Sequence, residues 1–162
     1  MRTIVVIACV GLAFMACTTG RQKSGAISAL NINSESRLLG TWQDVSLKIK
    51  VNSKKAPQVI EVDEMNWEDK MNIKPVRTIF FEDHTYRSEY YNLNDSIIRL
   101  VEGTWEILGD SLFLDQNKPE WKSYTYKVSI NSDMATFEGV LDWDGDGEDD
   151  DTYIGVQKRQ SI

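Results

Sequence analysis

The densest chemistry in this sequence lies between Leu141 and Thr152, which read Leu-Asp-Trp-Asp-Gly-Asp-Gly-Glu-Asp-Asp-Asp-Thr. Seven carboxylates fall within the ten residues Asp142 to Asp151. Like charges about 4 Å apart cost about 1 kcal/mol per pair in water and more near a protein surface. A divalent cation reverses the sign of that energy. Asp142, Asp144 and Asp146 offer oxygens at positions one, three and five of a calcium loop, and Gly147 supplies the sharp turn at position six. The backbone carbonyl of Glu148 and the side chain of Asp150 follow at positions seven and nine. Position twelve is Tyr153, so the bidentate Glu that closes a helix–loop–helix site is missing. Asp150 or Asp151 must then close the site, with an expected dissociation constant on the order of 10⁻⁴ to 10⁻³ M. The alternative is a solvated acidic hairpin loop that only discourages edge pairing.

Other constellations are thin. His84 is the only histidine, and the run Asp83-His84-Thr85 reads as a turn, which favours a turn role over a general base. There is no G-x-S-x-G, no phosphate-cradling glycine loop and no zinc spacing. The expectation is a protein that is not an enzyme. Trp42, Trp105, Tyr124, Tyr126 and Phe137 are aromatic residues on strand-like stretches. They either line an interior that holds a small apolar or amphipathic ligand, or fill it. A formal charge of −7 over 162 residues disfavours nucleic acid, whose phosphates need a basic face.

These residues need elements to hold them, and the first segment is not one of them. Of residues 1–16, 13 are hydrophobic, with Arg2 as a short positive region before the apolar stretch Ile4 to Phe14. This is a signal peptide, too short to span a bilayer as a mature helix. Phe14-Met15-Ala16-Cys17 resembles a bacterial lipobox. The resemblance implies cleavage before Cys17, lipidation of its sulfur and acylation of the new amino terminus. Cys9 would leave with the signal, so no free thiol would remain for a disulfide, a zinc site or a nucleophile. The mature chain would carry 17 Lys and Arg against 25 Asp and Glu, a charge of −8. Residues 17–36 are rich in Ser, Thr, Gly and Asn and read as a flexible tether with a reach of about 25 Å. Residues 37–162 form the folded domain.

Within that domain the dominant signal is period two. Tyr124-Thr-Tyr126-Lys-Val128-Ser-Ile130 alternates without a fault, and Asn131-Ser132-Asp133 supplies a turn before a strand carrying Phe137 and Leu141 on one face, with Trp143 continuing it. Gly103 to Leu108 and Ser111 to Asp115 read as a hairpin about Gly109-Asp110, and Arg77 to Phe81 pairs with Thr85 to Tyr91. Tyr153 to Gln157 is the last strand. In Glu61 to Lys74, Asp63 caps a short helix with Trp67 and Met71 on one side, or the stretch is a loop over a barrel mouth. About eight strands joined by short turns predict an all-β, antiparallel up-and-down barrel, since closure removes the exposed edges.

Leu38-Leu39-Gly40-Thr41-Trp42 resembles the Gly-x-Trp opening of lipocalins, and more closely that of lipocalin-like lipoproteins of Bacteroidota. A second Gly-Thr-Trp at Gly103 to Trp105 fits the same pattern. The resemblance implies that Trp42 plugs one barrel end and that a basic residue near the last strand, Lys158 or Arg159, packs over it. It implies no ligand identity. Surface-exposed lipoproteins of that type often carry acidic residues after the cysteine. Thr18-Thr19-Gly20-Arg21 does not, which places the expected anchor in the outer membrane facing the periplasm. The functional expectation is a lipid-anchored, non-catalytic envelope protein that binds a small apolar or amphipathic molecule. The alternatives are a structural or interaction module with a filled barrel, and a calcium-assembled adhesion or envelope-complex subunit.

Overall fold

The computed structural model describes residues 34–53 and 57–161. The expected signal peptide, Cys17 and the expected tether up to residue 33 lie outside the described residues. Residues 34–38 are helical (α1) and carry Leu38 into the core, so ordered structure starts before residue 37, within the stretch expected to be tether.

Strands follow in chain order as β1 (Gly40–Val51), β2 (Gln58–Asp63), β3 (Arg77–Phe80), β4 (Thr85–Tyr91), β5 (Ile97–Leu108), β6 (Ser111–Lys118), β7 (Lys122–Asn131), β8 (Met134–Leu141) and β9 (Asp151–Arg159), with one short helix, α2 (Trp67–Met71). Every pairing is antiparallel, and β9 returns to β1 from Trp42↔Arg159 to Lys50↔Thr152. The sheet is therefore a closed barrel. Its nine strands occupy eight positions, because β1 pairs β3 over Gly40–Gln43 and β2 over Ser46–Val51.

One irregularity decides what faces inward. The β1–β9 register slips between Asp44 and Ser46, leaving Val45 unpaired. A bulge of this kind resets the alternation. Trp42 and Asp44 point inward below it, and Leu47, Ile49 and Val51 point inward above it.

The closed end is built around Trp42, which is fully buried, and its indole Nε1 donates to the Leu38 carbonyl at 2.7 Å. The Arg159 guanidinium lies 4.2 Å from the centroid of that ring and donates to the carbonyls of Leu39 and Arg37. Of the two basic residues anticipated over Trp42, Arg159 is the one that packs there; Lys158 is exposed. Gly40 makes this possible: its φ is +112°, and a Cβ would stand 3.0 Å from Arg159 Nη1. Phe80, Trp105, Ile107, Leu112, Val128 and Phe137 belong to the same packed layer. Nearer the other end a smaller cluster joins Leu47, Ile49 and Val51 to Val62, Val76 and the buried Trp67 of α2.

The helix over Trp67–Met71 fits the expectation for Glu61 to Lys74, with a difference in the cap. Asp63 Oδ1 accepts from the backbone of Met65 and Asn66, so it closes the turn leading into the helix, whose cap position is Asn66. Strand β2 lies where no strand was anticipated. Among the described residues it pairs only with β1.

Candidate functional site

The chain directions put the loops between β4 and β5, β6 and β7, and β8 and β9 at the end opposite Trp42. Below these loops the barrel encloses a cavity of about 470 Å³. Tyr90 of β4, Tyr124 and Tyr126 of β7, Phe137 and Leu141 of β8 and Tyr153 of β9 reach it from successive inward stripes, and Trp67 and Met71 of α2 close one flank. The aromatics support one another. Tyr126 lies 5.5 Å from Tyr153 and 6.4 Å edge-on to Phe137, and Tyr124 stacks on Tyr126 at 6.2 Å.

The floor is polar. Asp44 stands two residues above Trp42 on the same inward stripe, and Gln157 stands two above Arg159, directly opposite. Gln157 Nε2 donates to Asp44 Oδ1 at 2.8 Å. Gln157 Oε1 is buried and has no hydrogen-bond partner among the described residues. Burial pushes the Asp44 carboxyl up to about 7, against the smaller opposing pull of the bonds from Gln157 and the Val76 backbone. Burial also raises the phenols of Tyr90, Tyr126 and Tyr153, and the nearby Asp44 charge raises each of them further.

The mouth carries the remaining charges. Arg99 lies over the Tyr90 ring at 5.8 Å and 3.9 Å from Glu120, while Lys122 sits over Tyr124 at 5.5 Å. Asp142 and Trp143 complete the rim from the acidic loop. In that loop the ladder between β8 and β9 pairs Leu141 with Asp151, which sets the two ends of the carboxylate run side by side. Oxygens of Asp142, Asp144 and Asp151 come within 4.8 Å of one another. Of the residues expected at a calcium site, Asp142 and Asp144 are thus brought together. Asp146, Glu148 and Asp150 lie outside the group, whose third member is Asp151.

Much of the loop is bonded to itself. Asp151 is buried and accepts from the backbone N–H groups of Asn52 (2.7 Å), Trp143 (2.8 Å) and Asp144 (3.2 Å), bonds that hold its carboxyl below the usual range. Asp142 Oδ2 accepts from Gly147, Asp144 Oδ1 from Asp146, and Asp146 Oδ1 from Glu148. Asp142 Oδ1 is buried with no partner among the described residues. Desolvation by the surrounding loop, with the charges of Asp146, Asp151 and Asp142, raises the carboxyl of the exposed Asp144.

Of the aromatic residues expected to meet a ligand, Tyr124, Tyr126 and Phe137 line the cavity, whereas Trp42 and Trp105 are packed in the layer below it. Trp105 donates to the Phe81 carbonyl and lies 4.9 Å from the ring of His84, whose φ of +61° matches the turn role anticipated for it. Asp44 and Gln157 escaped the sequence reading. The usable signal was a charged residue at an i+2 position from a core Trp, on the stripe that should be apolar. Comparison with protein-family models gives no match, and comparison with curated proteins gives none either.

Proposed function

We propose that the protein is a lipid-anchored, non-catalytic, lipocalin-like binder of a small amphipathic molecule, held in the cell envelope at the outer membrane and facing the periplasm. The observation that carries the reading is the aromatic-walled cavity of about 470 Å³ inside a closed barrel. Real ligand sites span roughly 300 to 1,000 Å³ and combine apolar walls with a few fixed polar groups. A cavity of that size argues against the alternative of a barrel filled by its own side chains. Native mass spectrometry of the protein purified from its own host tests the binder. A co-purifying small molecule, lost on denaturation, is expected, and an empty protein that also fails to take up amphipathic probes would overturn it. The anchor rests on the Cys17 motif, and Cys17→Ala is expected to move the protein from the membrane to the soluble fraction.

A second reading gives the acidic loop a calcium ion. It is favoured by the convergence of Asp142, Asp144 and Asp151 beside an unpartnered, buried Asp142 oxygen. Millimolar calcium is expected to raise the melting midpoint by about 2–4 °C, as roughly 1 kcal/mol of linkage does in a domain of this size. An unchanged midpoint in calcium and in chelator alike removes the ion.

A further inference from the structure

The cavity floor presents two acceptors side by side and, among the described residues, no cation. The Asp44 carboxyl accepts only from neutral donors, the Gln157 amide and the Val76 backbone N–H, and Gln157 Oε1 is left without a donor among the described residues. No described Lys or Arg forms an ion pair with Asp44. The other charged groups lining the space (Arg99, Glu120, Lys122 and Asp142) all sit at strand ends or in loops at the mouth. Arg99 is engaged by Tyr90 and Glu120, and Lys122 by Tyr124.

A buried carboxylate without a counter-ion is costly, and a buried amide oxygen without a donor adds to that cost. A guest that relieves both must bring several donors, a positive charge and no acceptor at its tip. An ammonium group carries three N–H donors and no acceptor. The phenol rings of Tyr90, Tyr126 and Tyr153 around the floor suit the same charge, since cations are attracted to aromatic faces. Their apolar edges, with Leu141 nearer the mouth and Phe137 in the packed layer beside them, suit a hydrocarbon body. The rim adds long-range bias, because seven carboxylates crowd the loop from Asp142 to Asp151 beside the opening.

We infer that the cavity selects molecules bearing a protonated primary amine on an apolar body, with the ammonium seated between the Asp44 carboxylate and Gln157 Oε1. The inference rests on the binder reading above and names its ligand class. Asp44 must be ionised to pair with the ammonium. Its pKa of about 7 therefore makes affinity for an amine rise with pH, while affinity for an uncharged analogue stays level. The phenols facing it from β4, β7 and β9 are pushed upward, away from that range, and His84 lies at the closed end.

Calorimetric titration of the full-length protein with octylamine, octanol and octanoate, at pH 6 and pH 8, tests the assignment. At pH 8 octylamine is expected to bind at least about tenfold more tightly than octanol, and octanoate more weakly than either. Between pH 8 and pH 6 the amine is expected to lose about tenfold, following the ionised fraction of a group that titrates near 7. Asp44→Asn should erase the preference for the amine over octanol and the pH slope with it. If amine and alcohol bind equally and neither responds to pH, the amine assignment is overturned while the binder stands. If none of the three binds, the binder reading falls with it. The pH slope of the unmutated protein decides the matter even if the variant folds poorly.

Discussion

Asp44 is a carboxyl whose folded surroundings disfavour its own charge. Between its ordinary value of 3.8 and its folded value of about 7, the native chain retains a proton that the unfolded chain has released. Stability therefore falls as pH rises through that window. Asp44→Asn is expected to stabilise the protein at pH 8, by at most about 4 kcal/mol, and to leave it nearly unchanged at pH 4. Urea unfolding at the two pH values measures this, and a loss of equal size at both would contradict the burial argument. At the closed end the sign is opposite. Arg159→Met removes a guanidinium that stacks on Trp42 and donates to two carbonyls, with an expected loss of roughly 2–4 kcal/mol. Lys158→Met, one residue away and exposed, is expected to change stability by less than about 0.5 kcal/mol.

At the scale of elements, closeness of approach matters more than propensity. Gly103 of β5 lies where a Cβ would stand 2.1 Å from the Asp115 carbonyl oxygen and 2.8 Å from Gln116 Cα. Both neighbours are backbone and cannot step aside. Gly103→Ala is expected to abolish folding or cost more than about 3 kcal/mol. Gly109→Ala meets nothing within 4 Å and loses only about 1 kcal/mol through its positive φ. Soluble yield and a melt followed by circular dichroism separate the two.

This same scale marks how far the sequence could be read. The hairpins of β3 with β4, β5 with β6 and β7 with β8 were legible, because each alternates cleanly about a Gly, Asn or Asp turn. Closure followed from the number of strands. Strand β2 was not legible, since Gln58–Asp63 pairs on one edge only and its alternation is weak. The bulge at Val45 was invisible too, and with it the switch of the inward stripe from Trp42 and Asp44 to Leu47, Ile49 and Val51. In the acidic loop, residue spacing suggested Asp146, Glu148 and Asp150 as ligands and left the closing residue open between Asp150 and Asp151, a choice that the ladder between β8 and β9 makes by fixing the ends of the run. That is why Asp151 joins Asp142 and Asp144.

For the whole molecule, the two ends divide the labour. One is sealed by Trp42 and Arg159, and the other gathers the cavity, the charged rim and the acidic loop. Between them the wall is uneven, because β1 changes neighbour halfway along, from β3 to β2. Beside Tyr90 no ladder joins β2 to β4 among the described residues. The span is spanned by residues 64–76, with the Lys74 N–H donating to the Tyr91 carbonyl and Trp67 buried behind it. That flank is a seam, and its parting would break none of the pairings that keep the ring closed. Amide exchange is expected to be fastest across residues 58–76 and slowest in β8 and β9, whereas even protection would show a single cooperative wall. A guest too broad for the top would then slip in sideways, at a pace set by the fraying of one helical turn rather than by the melting of the barrel.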